Sequence, residues 1–174
     1  KNLALIIKSD APSMMPDGDI DALDNLSSKI YLDFEGKVNT YLYPEELDSL
    51  KIRRGNLNLS ERKEIESHAS HSYNFLTQIP WTKVLKGIPE IAHGHHEKLN
   101  GEGYPLGLKE EDIVLQSKIM CVCDIFDALT ASDRPYKKAV PLDKAIQLLG
   151  FEVKDNHLDA ELVDIFVKKK VYQA

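Results

Sequence analysis

Apolar residues in this chain recur at intervals of three and four, and two-residue alternation is confined to one short stretch, which points to packed helices. The pattern is plainest near position 120, where Leu115, Ile119, Val122, Phe126 and Leu129 mark one stripe of a predicted long helix. Ile20, Leu23, Leu26 and Ile30 show the same spacing near the start. The plausible extended piece is "FEGKVNTYLY", turning at Glu35-Gly36. The class read from the sequence is all-α.

Punctuation residues divide the pattern. "NLALIIKS" reads as a short helix closed by the Pro/Gly/Asp-rich "DAPSMMPDGD". Pro44 opens "PEELDSL" in the first-turn position that suits proline. Asn58 followed by Glu61 has capping-box spacing and starts a helix through about Thr77, with Ile65, His68, Ser72 and Phe75 expected on its inward face. "PWTKVLKG" and "PEIAHGHH" read as two shorter helical pieces, and residues 97–113 as a long polar loop. Pro141 opens "PLDKAIQLLG", expected to end at Gly150. Leu158, Leu162, Phe166 and Val167 mark a last helix finished by "KKK", where cations suit the helix dipole. The expected organisation is a helical segment and linker over 1–57, a core over 58–150 and a C-terminal helix over 151–174.

A net charge of −6 without a long Lys/Arg run argues against binding of nucleic-acid polymers. A small phosphate-bearing ligand stays open, because bound cations reverse the local field. No apolar stretch approaches the ~20 residues of a membrane span, and nothing resembles a cleavable signal. Cys121 and Cys123, two apart on a predicted helix, point in different directions, which disfavours a disulfide or a zinc pair. A reduced, cytoplasmic setting fits this usage.

Four residues could share a metal. His68 lies on the expected inward face; alone, it reads first as a buried histidine bonded to a backbone carbonyl and second as a ligand. His95 and His96 are adjacent, and neighbours on a regular helix diverge by ~100°, so they share one ion only where a helix frays, or each holds a different metal of a cluster. Asp124 lies off the apolar stripe of its helix, where an acidic residue is usually solvated. Imidazole with carboxylate is nonetheless a donor set for iron, manganese or zinc, and cores of helical bundles host such sites. In "DRPYKK", Arg134, Lys137 and Lys138 form either a solvated turn or a phosphate clamp, Arg offering two-pronged geometry.

Together these pieces resemble the HD-GYP phosphodiesterases of bacterial signalling. The pattern HHE-x3-G-x-GYP is met by His95, His96, Glu97, Gly101, Gly103, Tyr104 and Pro105, seven identities over eleven positions. "LSERKEIESH", "CDIFDALTASDRPYKKA" and the helix from Leu142 to Ala145 are also similar, so the resemblance is strong over residues 58–150. It implies an all-helical HD-domain bundle holding two or three divalent metals, often iron or manganese, and hydrolysis of cyclic di-GMP to pGpG and then GMP. Carried over, His68, His95, His96 and Asp124 are metal ligands, Arg134 and Lys137 hold a substrate phosphate, and Tyr104 sits at the rim.

One departure is serious. The His-Asp dyad that names the family lies upstream of the position of His68, and this chain has no histidine before Ser67. The lysine that follows the dyad is missing with it. The expectation is therefore a bundle incomplete at its N-terminal side, an incomplete or absent metal complement, no assigned catalytic residue, and a chain inactive alone. The alternative is a catalytically silent module that binds a nucleotide, or a signalling partner protein at its exposed GYP loop. The start at Lys1 favours a piece of something longer. The apolar face of Ile65 and Phe75 should then be covered by residues 1–50, by upstream residues or by a second copy in a homodimer.

Overall fold

The computed structural model describes residues 2–9, 15–52, 57–132 and 139–173. Among these are eight α-helices and one two-stranded antiparallel sheet. The order is α1 (Asn2–Ser9), α2 (Asp17–Ser27), β1 (Ile30–Leu32), β2 (Val38–Thr40), α3 (Pro44–Leu50), α4 (Leu59–Leu76), α5 (Ile88–His93), α6 (Leu115–Thr130), α7 (Leu142–Lys154) and α8 (Ala160–Lys168), followed by a 3-10 turn at Val171–Gln173. The described residues are all-α apart from that small sheet. No helix of the described residues is long and apolar enough to cross a membrane. Two compact units are distinguished, Lys1–Ile65 and Glu66–Ala174.

In the first unit, Leu23 and Leu26 of α2 close with Leu42 on a small core, flanked by Leu5, Ile6, Leu47 and Leu50. The expected helical run through Ile30 is cut short. Ser27 and Ser28 turn their hydroxyls back onto the carbonyls of Asp24 and Asn25, and α2 ends. Ile30 instead begins β1, in register with Thr40. The turn between the strands falls where expected: Gly36 takes φ +79°, and Asp33 accepts the amides of Glu35 and Lys37. At the start of α4 the capping box forms reciprocally. Asn58 Oδ1 accepts the Glu61 amide at 2.9 Å, and Glu61 accepts the Asn58 amide at 2.8 Å.

The second unit is built on α6, α7 and α8. Cys121, Val122, Leu149, Leu158, Val163 and Phe166 form its buried core, with Ile125, Phe126, Val153 and Tyr172 packed around them. The rings of Phe126, Phe166 and Tyr172 meet pairwise at 5.1–5.7 Å between centroids. Gly150 does not stop α7. Leu149 and Val153, one turn apart, both pack on the core and carry the helix through to Lys154. The left-handed turn that leaves it is made by Asn156, at φ +56°. Asp159 then caps α8 by accepting the amides of Glu161 and Leu162.

Two inward faces differ from expectation. On α4 the buried residue is Ala69, while Ile65 and Phe75 are 53% and 69% exposed. The face that packs carries Ser70 and Tyr73: Ser70 Oγ lies 3.4 Å from His93 Nε2, and Tyr73 stacks on the His93 ring at 4.4 Å. On α6 the buried residues are Ser117, Cys121 and Val122, with Leu115 and Ile119 exposed. Ser117 Oγ donates to the Ile91 carbonyl at 3.0 Å and stands 3.1 Å from where a Cβ on Gly94 would lie. A small residue facing a glycine brings α5 and α6 together. The piece expected at 80–87 is a run of turns rather than a helix, and Trp81 Nε1 donates to the Leu76 carbonyl at the end of α4.

Candidate metal centre

α4 supplies His68 from a regular helix. α5 supplies nothing directly: it ends at His93, and His95 and His96 follow in the turn after Gly94. This removes the geometric objection to adjacent histidines. Outside the helix their rings come to 3.9 Å between centroids, inclined by 38°. The His68 ring lies 5.6 Å from that of His95 and 4.9 Å from that of His96, edge-on to both. One nitrogen from each of the three falls within 4.8 Å of the others.

Hydrogen bonding settles how one imidazole is presented. His95 is buried, and its Nδ1 lies 2.6 Å from the Ala92 carbonyl oxygen. A carbonyl oxygen can only accept, so Nδ1 is the donor and Nε2 is the nitrogen left to face the cluster. The Nε2 atoms of His68 and His96 lie 3.1 Å apart. Two nitrogens each ~2.0–2.1 Å from one ion stand about 3 Å apart when their bonds meet near a right angle. Burial pushes His96 down to about 4, helped by His95 and His68 and opposed by Asp124, so the ring is neutral at pH 7. A neutral imidazole is the form that ligates. The donor set therefore fits a divalent transition metal.

Asp124 Oδ2 lies 3.9 Å from His96 Nδ1, on the other side of that ring from His68. The carboxylate is thus beside the cluster, adjacent to one of its members. Cys121 lies one turn of α6 before it. Burial first, then the charge of Asp124, raises its thiol to about 11, which makes it a packing group rather than a thiolate donor. Arg134 and Lys137 lie outside the described residues.

The loop from Glu97 onward lies over the imidazoles. Its Tyr104 ring is 4.7 Å from His96 and 6.4 Å from His68. Burial, with Glu66 and Asp124 nearby, pushes the Tyr104 phenol up to about 12, so it remains a hydrogen-bond donor across the physiological range. Each glycine of the motif has a local cause. Gly101 takes φ +82°, where a side chain would be strained. A Cβ on Gly103 would fall 2.4 Å from the Lys98 amide nitrogen, so only glycine lets the loop cross that backbone. The Tyr104–Pro105 peptide bond is cis.

Two residues here escape a reading of the sequence. Glu97, 3% exposed, accepts the amides of Leu106 and Leu108 at 2.7 and 2.8 Å. His157, far along the chain, binds Glu152 Oε2 through Nδ1 at 2.7 Å, while its carbonyl accepts the Leu99 amide. Glu97 was visible as part of a motif, but nothing local marks it as buried. His157 carried no signal at all.

Comparison with known proteins places the chain in a family. A family profile described as HD domain matches residues 38–162. The chain is similar to a 3'3'-cGAMP-specific phosphodiesterase of Vibrio cholerae, 35% identical over 133 residues, which make up 76% of this chain and 28% of that protein. A cyclic di-GMP phosphodiesterase of Thermotoga maritima is 33% identical over 121 residues, 70% of this chain and 32% of its own length. Another 3'3'-cGAMP-specific phosphodiesterase of Vibrio cholerae is 38% identical over 95 residues, 55% of this chain and 20% of that protein. The chain thus spans from about a fifth to about a third of these curated relatives. Helical bundle and histidine cluster define an HD-domain protein, and the chain belongs to that family. Within it, the motif from His95 to Pro105 puts the chain in the HD-GYP branch.

Proposed function

We propose that this chain is the GYP-bearing half of a metal-dependent phosphohydrolase that cleaves a cyclic dinucleotide, cyclic di-GMP first, to the linear pGpG and GMP. The observation that carries the reading is the 3.1 Å approach of the His68 and His96 Nε2 atoms beneath Tyr104, with His95 alongside. In it, His68, His95 and His96 hold a divalent metal, iron or manganese, and Asp124 steadies or joins them. When bound, such an ion lowers the pKa of a coordinated water and draws charge from phosphoryl oxygens.

The chain's own groups complete the chemistry. The bond from His95 Nδ1–H to Ala92 holds that ring in the tautomer that offers Nε2. The neutral Tyr104 phenol donates toward a phosphate oxygen at the rim. Arg134 and Lys137 offset the charge that grows on that phosphate as the bond to its leaving oxygen breaks. The test is elemental analysis of the purified full-length protein beside an assay of cyclic di-GMP cleavage. Iron or manganese at about one per chain or more, with linear product, supports the reading; a protein that takes up neither metal sinks it.

A second reading has one observation in its favour: no histidine in this chain is followed by aspartate. On that reading the chain is a silent module that binds a nucleotide or a signalling protein through the GYP loop. Metal-loaded protein that binds cyclic di-GMP and releases no linear product would favour it.

A further inference from the structure

We propose that the buried carboxylate of Glu97 is a positioning residue, which holds the rim segment so that Tyr104 stays against His96; the inference rests on the reading of Tyr104 as a substrate contact. Glu97 directly follows His96, so the turn that fixes the imidazole also fixes this carboxylate. From there the side chain reaches across the loop and takes one amide beyond each side of the Gly107 turn, Leu106 on Oε1 and Leu108 on Oε2. Before Tyr104, Gly103 passes directly over the backbone of Glu97 and Lys98. Tyr104 itself donates its amide to the His96 carbonyl at 3.2 Å. The Tyr104-Pro105 pair is therefore bracketed, by His96 on one side and by the Glu97 carboxylate on the other.

The bonding also separates this role from ligation. Each carboxylate oxygen already accepts a short backbone bond, and charge-assisted bonds to a buried carboxylate are the strong kind. A carboxylate turned toward the imidazoles would leave the Leu106 and Leu108 amides without these acceptors. Glu97 thus acts on the loop, and only through Tyr104 on a substrate.

The experiment compares the unaltered full-length protein with its Glu97→Ala and Glu97→Gln variants, the latter keeping one acceptor oxygen. In Glu97→Ala the Leu106 and Leu108 amides should exchange with solvent at least ~10-fold faster, while α6, α7 and α8 keep their protection. The nuclear Overhauser contact between the Tyr104 and His96 rings should weaken, and Glu97→Gln should fall between. Manganese affinity, titrated directly, should stay within ~3-fold, whereas removing a group tied to a metal ligand costs ~10–100-fold. In cyclic di-GMP hydrolysis, Glu97→Ala and Tyr104→Ala should lose equally, and the double variant should be no worse than either single one.

Additive losses in that cycle, or manganese affinity falling with activity, would overturn the role. So would unchanged exchange at Leu106 and Leu108, or protection lost throughout α6, α7 and α8 in both variants. If the unaltered protein cleaves no cyclic dinucleotide, it is the proposed activity that fails. The exchange, ring-contact and manganese measurements then decide the role of Glu97 on their own.

Discussion

The Nε2 atoms of His68 and His96, twenty-eight residues apart in the chain, lie 3.1 Å from each other. Without an ion, one must donate a proton to the other. With one, both lone pairs turn to the same centre. The two rings come from different elements, α4 and the turn after α5, so their meeting is a product of helix packing and not of local sequence.

If that meeting is a metal centre, its members should differ in how much they matter. His68→Ala and His96→Ala should each bring metal content close to none. Asp124→Asn, beside His96 at 3.9 Å, should weaken affinity by ~10–100-fold. Competitive chelator titration checks this. Equal retention of metal in all three variants would remove the centre from the protein.

The folded-state pKa of His96, about 4, lies below its ordinary value of 6.5. Between these values the unfolded chain takes up a proton that the folded chain refuses. Stability of the metal-free protein should therefore fall as pH drops from about 6.5 toward about 4, and this contribution should level off below. Denaturant titrations across that window check it. The slope should be shallower in His96→Gln, and an identical slope would assign the pH dependence to other groups.

Two glycines should answer oppositely to alanine. At Gly103 the new Cβ meets Lys98 and Glu97 backbone at 2.4–2.6 Å, and backbone must move. Such overpacking costs ~1–3 kcal/mol, and Tyr104 should shift with it. At Gly150, inside α7, nothing stands within 4 Å of the new Cβ. Alanine there should stabilise by ~0.5–1 kcal/mol. Thermal or denaturant unfolding of both variants provides the comparison.

In the full-length protein, Arg134→Ala should lower hydrolysis on the order of 100-fold, the loss typical of a group that stabilises transition-state charge. Metal content should stay the same, because Arg134 is assigned to phosphate. Parallel loss of metal and activity would move Arg134 into the metal centre.

Much of this protein is local and could be read from its residues. The helical class follows from periodicity, and the capping box of Asn58 and Glu61 follows from two side chains three apart. The turn at Gly36 and the composition of the histidine motif are equally local. Each depends on interactions within a few residues, which neighbours in the chain determine wherever the rest of it goes.

Tertiary packing decided the remainder. Ile65 and Phe75 look like a core stripe, yet Ala69 is the residue buried, because α4 packs through its small residues and the stacked Tyr73. His95 and His96 could share a centre only if the helix stopped before them, and Gly94, held against Ser117 of α6, marks that stop. Glu97 became a buried staple when the loop folded back over it. In each case the deciding contact lies beyond the neighbouring turn of chain, and a side chain's direction is fixed only once the surface it packs against exists.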